Sequence, residues 1–175
     1  MTRAWLGAVV IAAMVAGPGL AAAQSPRGTL SSADRKFLEE AAEGGQMEVQ
    51  LGRMAQQKAS NDAVKQFAER MVTDHSKANQ ELAQLASSKG MELPKQPDRK
   101  AQSEQDRLSK ASGSTFDREY VKTMVKDHEK DVAAFKRASK DAKDPDVRAW
   151  AAKTLPTLED HLKSIKQIES QVASK

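Results

Sequence analysis

Apolar side chains recur along most of this chain at alternating spacings of three and four residues, the spacing of an amphipathic α-helix. Four long stretches carry the pattern, at about 32–58, 61–89, 114–140 and 145–173. The last stretch shows it without interruption, in Val147, Ala151, Thr154, Leu158, His161, Ile165, Ile168 and Val172. The pattern therefore predicts an all-α fold with four long helices.

Residues with helix-capping chemistry mark the ends of these stretches. A serine at position 31 or 32 opens the first helix, with Asp34 three residues after Ser31, and this spacing is typical of a capping box. Ser114 opens the third helix in the same way, with Asp117 three residues later. Gly90 follows the second helix at the position where a left-handed residue commonly ends a helix.

The lengths of the links predict how the helices are arranged. Only a few residues join the first helix to the second and the third to the fourth, so each pair is antiparallel. The connector at 91–113 is long enough to return along the bundle, and its part at 98–111 has a weak, mostly polar helical pattern. We therefore predict a ferritin-like four-helix bundle with a long crossover connector, containing a short extra helix, between helices two and three. An up-down-up-down bundle is the alternative.

The first 23 residues have the features of an export signal. Arg3 gives a positive start, an apolar run follows at 4–16, and small residues at 21–23 precede Gln24, which together are typical of a cleaved signal peptide. The apolar run is too short to span a bilayer. We predict a signal peptide at 1–23, a flexible lead-in at 24–30 and a helical domain at 31–175. The predicted location is the periplasm or cell envelope, and the mature protein is not expected to be an integral membrane protein.

Composition and charge exclude several classes of function. The chain has no Cys, which excludes disulfides, thiolate metal sites and a catalytic thiol. The net charge is only +4, and basic and acidic residues alternate on the outer helix faces, so no nucleic-acid partner is expected. No Ser-His-Asp arrangement or phosphate-binding loop is recognisable. We predict no catalytic residue and no cofactor-binding residue, and an enzyme is the least favoured class.

All three histidines lie on apolar helix faces near the middle of their helices: His75, His128 and His161. The first helix has no His, but Glu48 interrupts its apolar face at the corresponding level. Helices of equal length share one level at their midpoints, so these four side chains are predicted to converge, as the ligands of a metal site in a helical bundle do. Imidazole and carboxylate ligands suit Zn, Cu, Ni or Fe.

An aspartate precedes each histidine: Asp74, Asp127 and Asp160. Adjacent helical residues point in different directions, so such an aspartate is predicted to reach a histidine on the neighbouring helix and to hold its second ring nitrogen. Asp131, one turn after His128, is a further candidate for this role. The alternative is a hydrogen-bonded polar layer in a non-enzymatic structural, interaction or stress-response protein of the envelope. The residues alone leave both hypotheses open.

Glycines surround Glu48 in the first helix. Gly45 lies three residues before it and Gly52 four residues after it, and Gly44 adds a third. Mid-helix glycine costs about 1 kcal/mol relative to alanine, so these positions either leave space beside Glu48 or allow a close helix crossing. The apolar face of this helix is predicted to contain Phe37, Ala41, Gly44, Glu48, Leu51 and Ala55.

Four segments of the chain carry a recognisable pattern: FLEEAAEGGQMEVQLGRMAQQKAS, VKQFAERMVTDHSKANQEL, FDREYVKTMVKDHEKDVAAF and WAAKTLPTLEDHLKSI. They resemble a family of exported bacterial proteins, the domain of unknown function (DUF) 4142. The resemblance implies a fold similar to that of the ferritin-like superfamily and a location in the periplasm or envelope, but no activity. A di-iron centre of the ferritin-like type needs Glu-x-x-His pairs. Val72, Val125 and Leu158 stand three residues before the histidines, so any metal site is predicted to be mononuclear.

Overall fold

The structure is a computed structural model that describes residues 30–173. It contains five helices and no strand within that range: α1 (Ser32–Lys58), α2 (Asp62–Ser88), α3 (Arg99–Ser109), α4 (Gly113–Asp141) and α5 (Pro145–Ala173). The predicted all-α class is confirmed. The predicted signal peptide at 1–23 and all but the last residue of the lead-in predicted at 24–30 lie outside the described residues. Within them, no helix combines the length and the apolar character that crossing a membrane requires.

The four long helices pack in two antiparallel pairs. α1 packs against α2 and α4, and α5 packs against the same two helices. Phe37 near the start of α1 contacts Phe135 near the end of α4, with ring centroids 5.0 Å apart. Lys89 just after α2 pairs with Asp146 at the start of α5 at 2.6 Å. α1 is therefore antiparallel to α4 and α2 to α5, so that α2 and α4 run in the same direction and the segment containing α3 returns the chain.

Gly90 ends α2 in the conformation that the sequence predicts. Its φ is +65°, in the left-handed region that glycine adopts without steric cost. The Gly90 amide donates to the carbonyl of Ser87 at 3.0 Å, and the Met91 amide donates to the carbonyl of Ala86 at 2.9 Å. These two bonds form a Schellman motif. Met91 is buried in the core and so fixes the direction in which the connector leaves.

Asp34, in the first turn of α1, holds the turn between α4 and α5. Its amide donates to the hydroxyl of Ser31, the N-cap residue, at 3.1 Å. Its buried carboxylate accepts hydrogen bonds from the amides of Lys143 at 3.1 Å and Asp144 at 2.9 Å. The side chain thus satisfies amides that precede α5 instead of closing a capping box on its own helix.

Asp117, in the first turn of α4, holds the turn between α1 and α2 in the same manner. Its carboxylate accepts hydrogen bonds from the amides of Ser60 and Asn61, each at 3.0 Å, and from the Ser60 hydroxyl at 2.5 Å. The prediction that Ser114 opens this helix is wrong, because α4 begins at Gly113 after the N-cap residue Ser112. The positive φ of Gly113, +56°, turns the chain into the helix one residue before the predicted start at Ser114.

Two glycines bring α1 and α2 close together. A Cβ on Gly45 would lie 2.2 Å from Oδ1 of Asn79, and one on Gly52 would lie 3.0 Å from the carbonyl oxygen of Ala68. At these two positions the close helix crossing explains the glycine.

The buried face in the first half of α1 lies one residue further along than predicted. Leu38, Ala42 and Gly45 are buried, whereas Phe37, Ala41 and Gly44 are only partly buried. The Phe37 ring packs across the edge of the core against Phe135 and Trp150, which keeps it at the margin. From Glu48 onward the predicted positions Glu48, Leu51 and Ala55 are buried.

Asp117→Ala should lower the free energy of unfolding by about 2–3 kcal/mol, because it leaves two turn amides without their charged acceptor. Urea denaturation followed by circular dichroism measures this. Asp106→Ala, which removes an exposed carboxylate from α3, is the control and should change stability by less than about 0.5 kcal/mol. Equal effects of the two substitutions would contradict this role of Asp117.

Candidate metal centre

The three histidine rings meet in the middle of the core. His75 comes from α2, His128 from α4 and His161 from α5, and all three are buried. Their ring centroids are 5.4–5.7 Å apart in every pair. Glu48 of α1 is 1% exposed and lies beside them. The structure therefore brings together the four side chains that the sequence pattern singles out.

One nitrogen of each ring is held by the protein. Nδ1 of His75 lies 2.9 Å from Oε2 of Glu48, within hydrogen-bond distance. Nδ1 of His128 is 2.9 Å from the carbonyl oxygen of Met124, to which it must donate because a carbonyl only accepts. Nε2 of His161 is 2.8 Å from Oδ2 of Asp74, a contact from α2 to α5. These three contacts orient all three rings.

The second nitrogen of each ring has no partner. Nε2 of His75, Nε2 of His128 and Nδ1 of His161 are buried and make no hydrogen bond. The three histidines can each offer one nitrogen such that all three atoms lie within 4.8 Å of one another. Buried polar atoms in proteins are nearly always hydrogen-bonded. Three unpartnered nitrogens in one place are therefore the arrangement expected of a site that binds an ion.

The rings are neutral at physiological pH. Burial lowers the pKa of His75 to about 4, and it lowers the pKa of His161 to about 4 against the opposing effect of Asp74. Burial also lowers the pKa of His128, although the nearby Glu48 opposes the shift. A metal ion binds the neutral form of imidazole, so these rings can bind an ion without first losing a proton.

Glu48 lies close to Nδ1 of two of the histidines, His75 and His128. Its Oε1 is 3.5 Å from Nδ1 of His128, and this oxygen makes no hydrogen bond. Burial raises the pKa of Glu48, while the charge that His128 would carry lowers it. A positive ion nearby favours the carboxylate form. Glu48 can thus orient the ring of His75 and supply a compensating negative charge.

Asp131 lies beside this pair without contacting a ring at hydrogen-bond distance. With Glu48 and His75 it lines a small internal cavity of about 20 Å³, which has room for a single water molecule. Burial and the nearby charge of Glu48 raise the pKa of Asp131. The cavity is too small to hold an organic substrate.

The other two predicted aspartates lie away from the rings. Asp127 has a buried oxygen without a hydrogen-bond partner, and it lines a groove among α1, α3 and α4. Burial, with the charge of Glu104, raises its pKa to about 6. Asp160 is exposed and pairs with Arg70 at 2.5 Å. Of the three aspartates that precede a histidine, Asp74 therefore holds a ring of the centre.

Sequence reasoning missed three residues around the centre. Arg70 pairs with both Asp74 and Asp160. Its position four residues before Asp74 on a helix could have indicated the first of these ion pairs from the sequence. The ring of Phe67 lies 6.2 Å from those of His128 and His161. Tyr120 is fully buried, and its hydroxyl makes no hydrogen bond. Phe67 and Tyr120 each lie eight residues, about two turns, before a histidine on the same face.

The sequence model of one protein family matches most of this chain. The family is described as a domain of unknown function, DUF4142, and the match covers residues 19–168. The chain belongs to this family. The resemblance found in the sequence is thereby confirmed, including a helical fold of the ferritin-like type. No curated protein matches the sequence.

Several solved structures share the fold of this DUF4142 chain. A DUF305 fragment from Deinococcus radiodurans has a TM-score of 0.73 at 12% identity and covers 82% of this chain and 99% of its own. CopM in its Cu(I)-bound form has a TM-score of 0.67 at 20% identity, with coverage of 79% and 96%. CopM in an Ag-bound form, obtained by co-crystallization, gives 0.65 at 21% identity, with the same coverage. At these identities the similarity establishes the fold.

In the metal-free protein, nitrogen NMR should find His75 and His128 with the proton on Nδ1, and His161 with the proton on Nε2. The signals of His75 and His161 should not titrate between pH 7 and pH 5, because burial lowers the pKa of both to about 4. The unfolded chain binds protons near pH 6.5, so the histidines' share of the stability falls as the pH drops below that value. Histidines of the urea-unfolded protein are the control, and titration of the folded protein near pH 6.5 would contradict this prediction.

Proposed function

We propose that this protein binds a single transition-metal ion, copper in the Cu(I) state, through His75, His128 and His161. The observation that carries the proposal is the set of three buried ring nitrogens without partners, one on each of three histidines that can offer ligand atoms within 4.8 Å of one another. Glu48 and Asp74 provide the contacts from behind to His75 and His161. Such contacts fix the tautomer and orientation of a metal-binding histidine.

A purely structural polar layer explains this geometry less well. Each buried polar atom left without a hydrogen bond costs about 1–3 kcal/mol. In a layer that only fixes helix register, both nitrogens of each ring would be hydrogen-bonded to another ring or to a side chain. Here three nitrogens in one cluster are left without a bond. An ion-binding centre accounts for this cost, because the free lone pairs are the atoms that bind.

Two arguments favour copper: the charge of the ion and the metals that CopM binds. Three neutral imidazoles suit Zn, Cu, Ni or Fe by ligand type. A singly charged ion costs less to bury than a doubly charged one, and the carboxylate of Glu48 is enough to compensate it. CopM, which shares the fold, has been crystallised with Cu(I), Cu(II) and Ag. We therefore place Cu(I) first and use Ag(I) as its redox-inert substitute in experiments.

The proposal extends to the position of the protein in the cell and to its architecture. We propose that the segment at 1–23 directs export, so that the protein works in the periplasm or envelope, where it would bind or buffer copper without catalysing a reaction.

We also propose that the four long helices form a ferritin-like four-helix bundle with a crossover. The same direction of α2 and α4 supports this arrangement, as do the contacts that close the ring of helices.

Purified metal-free protein should bind one equivalent of Ag(I) or, without oxygen, of Cu(I), and its melting temperature should rise with the ion because only the folded state holds the site. His128→Phe should abolish binding of the ion at micromolar concentration, since it removes one of three ligands. Phe67→Leu is the matched control, because it alters packing against the same rings and should keep one equivalent. Titration calorimetry and thermal melting provide the readouts.

A structural polar layer gives the opposite results. No ion would bind or raise the melting temperature, and His128→Phe would leave the protein as stable or make it more stable, because it removes an unsatisfied nitrogen. That combination would rule out the proposed function. Binding of Zn or Ni in preference to Cu(I) would retain the centre and overturn its assignment to copper.

Glu48→Gln should keep one bound equivalent but weaken ion binding by about 10–100-fold, the usual effect of removing a group that holds a metal-binding histidine. The amide keeps the shape of the side chain and loses its negative charge. Competition with a chelator of known affinity measures the change. Loss of all binding would instead favour the sequence-based prediction that Glu48 is itself a ligand. Glu81→Gln, a change at a partly exposed position on α2, is the control and should leave the affinity unchanged.

A further inference from the structure

A cluster of charged side chains lies on the α2–α5 side of His161. Nε of Arg70 lies 3.3 Å from Oδ2 of Asp74, and its terminal nitrogen lies 2.5 Å from Oδ2 of Asp160. Asp74 belongs to α2 and Asp160 to α5, so the guanidinium joins the two helices. The same Oδ2 of Asp74 accepts the hydrogen bond from Nε2 of His161. We call Arg70, Asp74 and Asp160 the latch.

The latch reaches solvent beside the buried centre. The side chain of Asp74 is 31% exposed, whereas those of His161 and His128 are 0% exposed and that of Glu48 is 1% exposed. Asp74 and Arg70 border an open pocket on the protein surface, whose other lining residues are Gln66, Glu69, Thr73 and Thr157. Asp74 therefore contacts both the surface pocket and a ring of the buried centre.

We infer that the ion enters and leaves the centre through the α2–α5 seam, and that Arg70 is a positioning residue that keeps this route closed. This inference rests on the proposed function. A buried ion needs a path along which polar groups replace its water, and a carboxylate that moves away from His161 provides such a group at the mouth of the path. Arg70 opposes this motion, because it holds Asp74 on His161 and ties Asp74 to α5 through Asp160.

The groove on the opposite side of the molecule is the competing route. It is lined by acidic and basic side chains that include Glu43, Asp98, Glu104 and Asp127, so it too can attract cations. Within the described residues, however, no hydrogen bond or ion pair joins Asp127 to a ring of the centre. The groove therefore lacks a group like Asp74, which is bonded to a histidine and open to solvent at the same time.

The test compares Arg70→Gln with a matched variant, Lys153→Gln. Lys153 of α5 pairs with Glu81 of α2 at 2.8 Å, so it also joins the two helices but lies about two turns from His161. Protein loaded with one Cu(I) is mixed with a chromophoric Cu(I) chelator, and the rate of transfer is followed by absorbance. Arg70→Gln should release the ion about fivefold faster than the unchanged protein, as expected for loss of a partly exposed ion pair. Lys153→Gln should release it at the unchanged rate.

A second readout needs no metal. Diethyl pyrocarbonate acylates accessible imidazole, and peptide mass mapping gives the rate for each histidine of the metal-free protein. Arg70→Gln should speed modification of His161 and leave that of His128 unchanged. Equal acceleration at both positions would mean general loosening of the fold and would overturn the inference.

The remaining outcomes separate this inference from the proposed function. Unchanged Cu(I) release and unchanged His161 modification in Arg70→Gln would overturn the role of Arg70 while the metal centre stands. Faster release in Asp127→Asn, with no effect of Arg70→Gln, would place the route in the opposite groove. Failure of the unchanged protein to bind Cu(I) would overturn the proposed function, whatever the modification rates show.

Discussion

The carboxylate of Glu48, buried at the meeting point of three helices, is the interaction on which the centre depends. A buried carboxylate is costly unless it is hydrogen-bonded, and here Oε2 lies 2.9 Å from Nδ1 of His75 of α2, while Oε1 lies 3.5 Å from Nδ1 of His128 of α4. The glycines beside Glu48 in α1 let α2 come close enough for this contact. One acidic residue of α1 therefore lies against both α2 and α4 and holds the ring of His75, while the carbonyl of Met124 holds the ring of His128.

The fourth helix joins the arrangement through a second carboxylate. Asp74 of α2 holds His161 of α5 from the outside, whereas Glu48 acts from within the core. The two acids differ in their contact with solvent, and this difference gives the centre a closed side and an exposed side. Both hairpins of the chain contribute ring nitrogens, so an ion in the centre would link α2 to the α4–α5 pair and stabilise the packing between the halves.

The sequence predicted the helices well because each has a continuous apolar face and recognisable ends. The level of the four central residues could also be predicted, since helices of similar length share their midpoints. The buried face of α1 could not be predicted exactly, because Phe37 and Leu38 are equally apolar. Only the packing of the Phe37 ring decides which of the two is buried. Nor could the sequence show that Asp74 reaches a histidine while Asp160 does not, because this depends on how each helix is rotated about its axis.

The two aspartate contacts at the turns have a consequence for motion. Asp34 and Asp117 fasten opposite ends of the molecule, each joining the first turn of one hairpin to the turn of the other. Helices fray from their ends inward, and here both ends are restrained from a neighbouring element. The histidines lie midway between these two restraints. Backbone amides at their level should accordingly be among the slowest in the protein to exchange with solvent, with faster exchange towards either end.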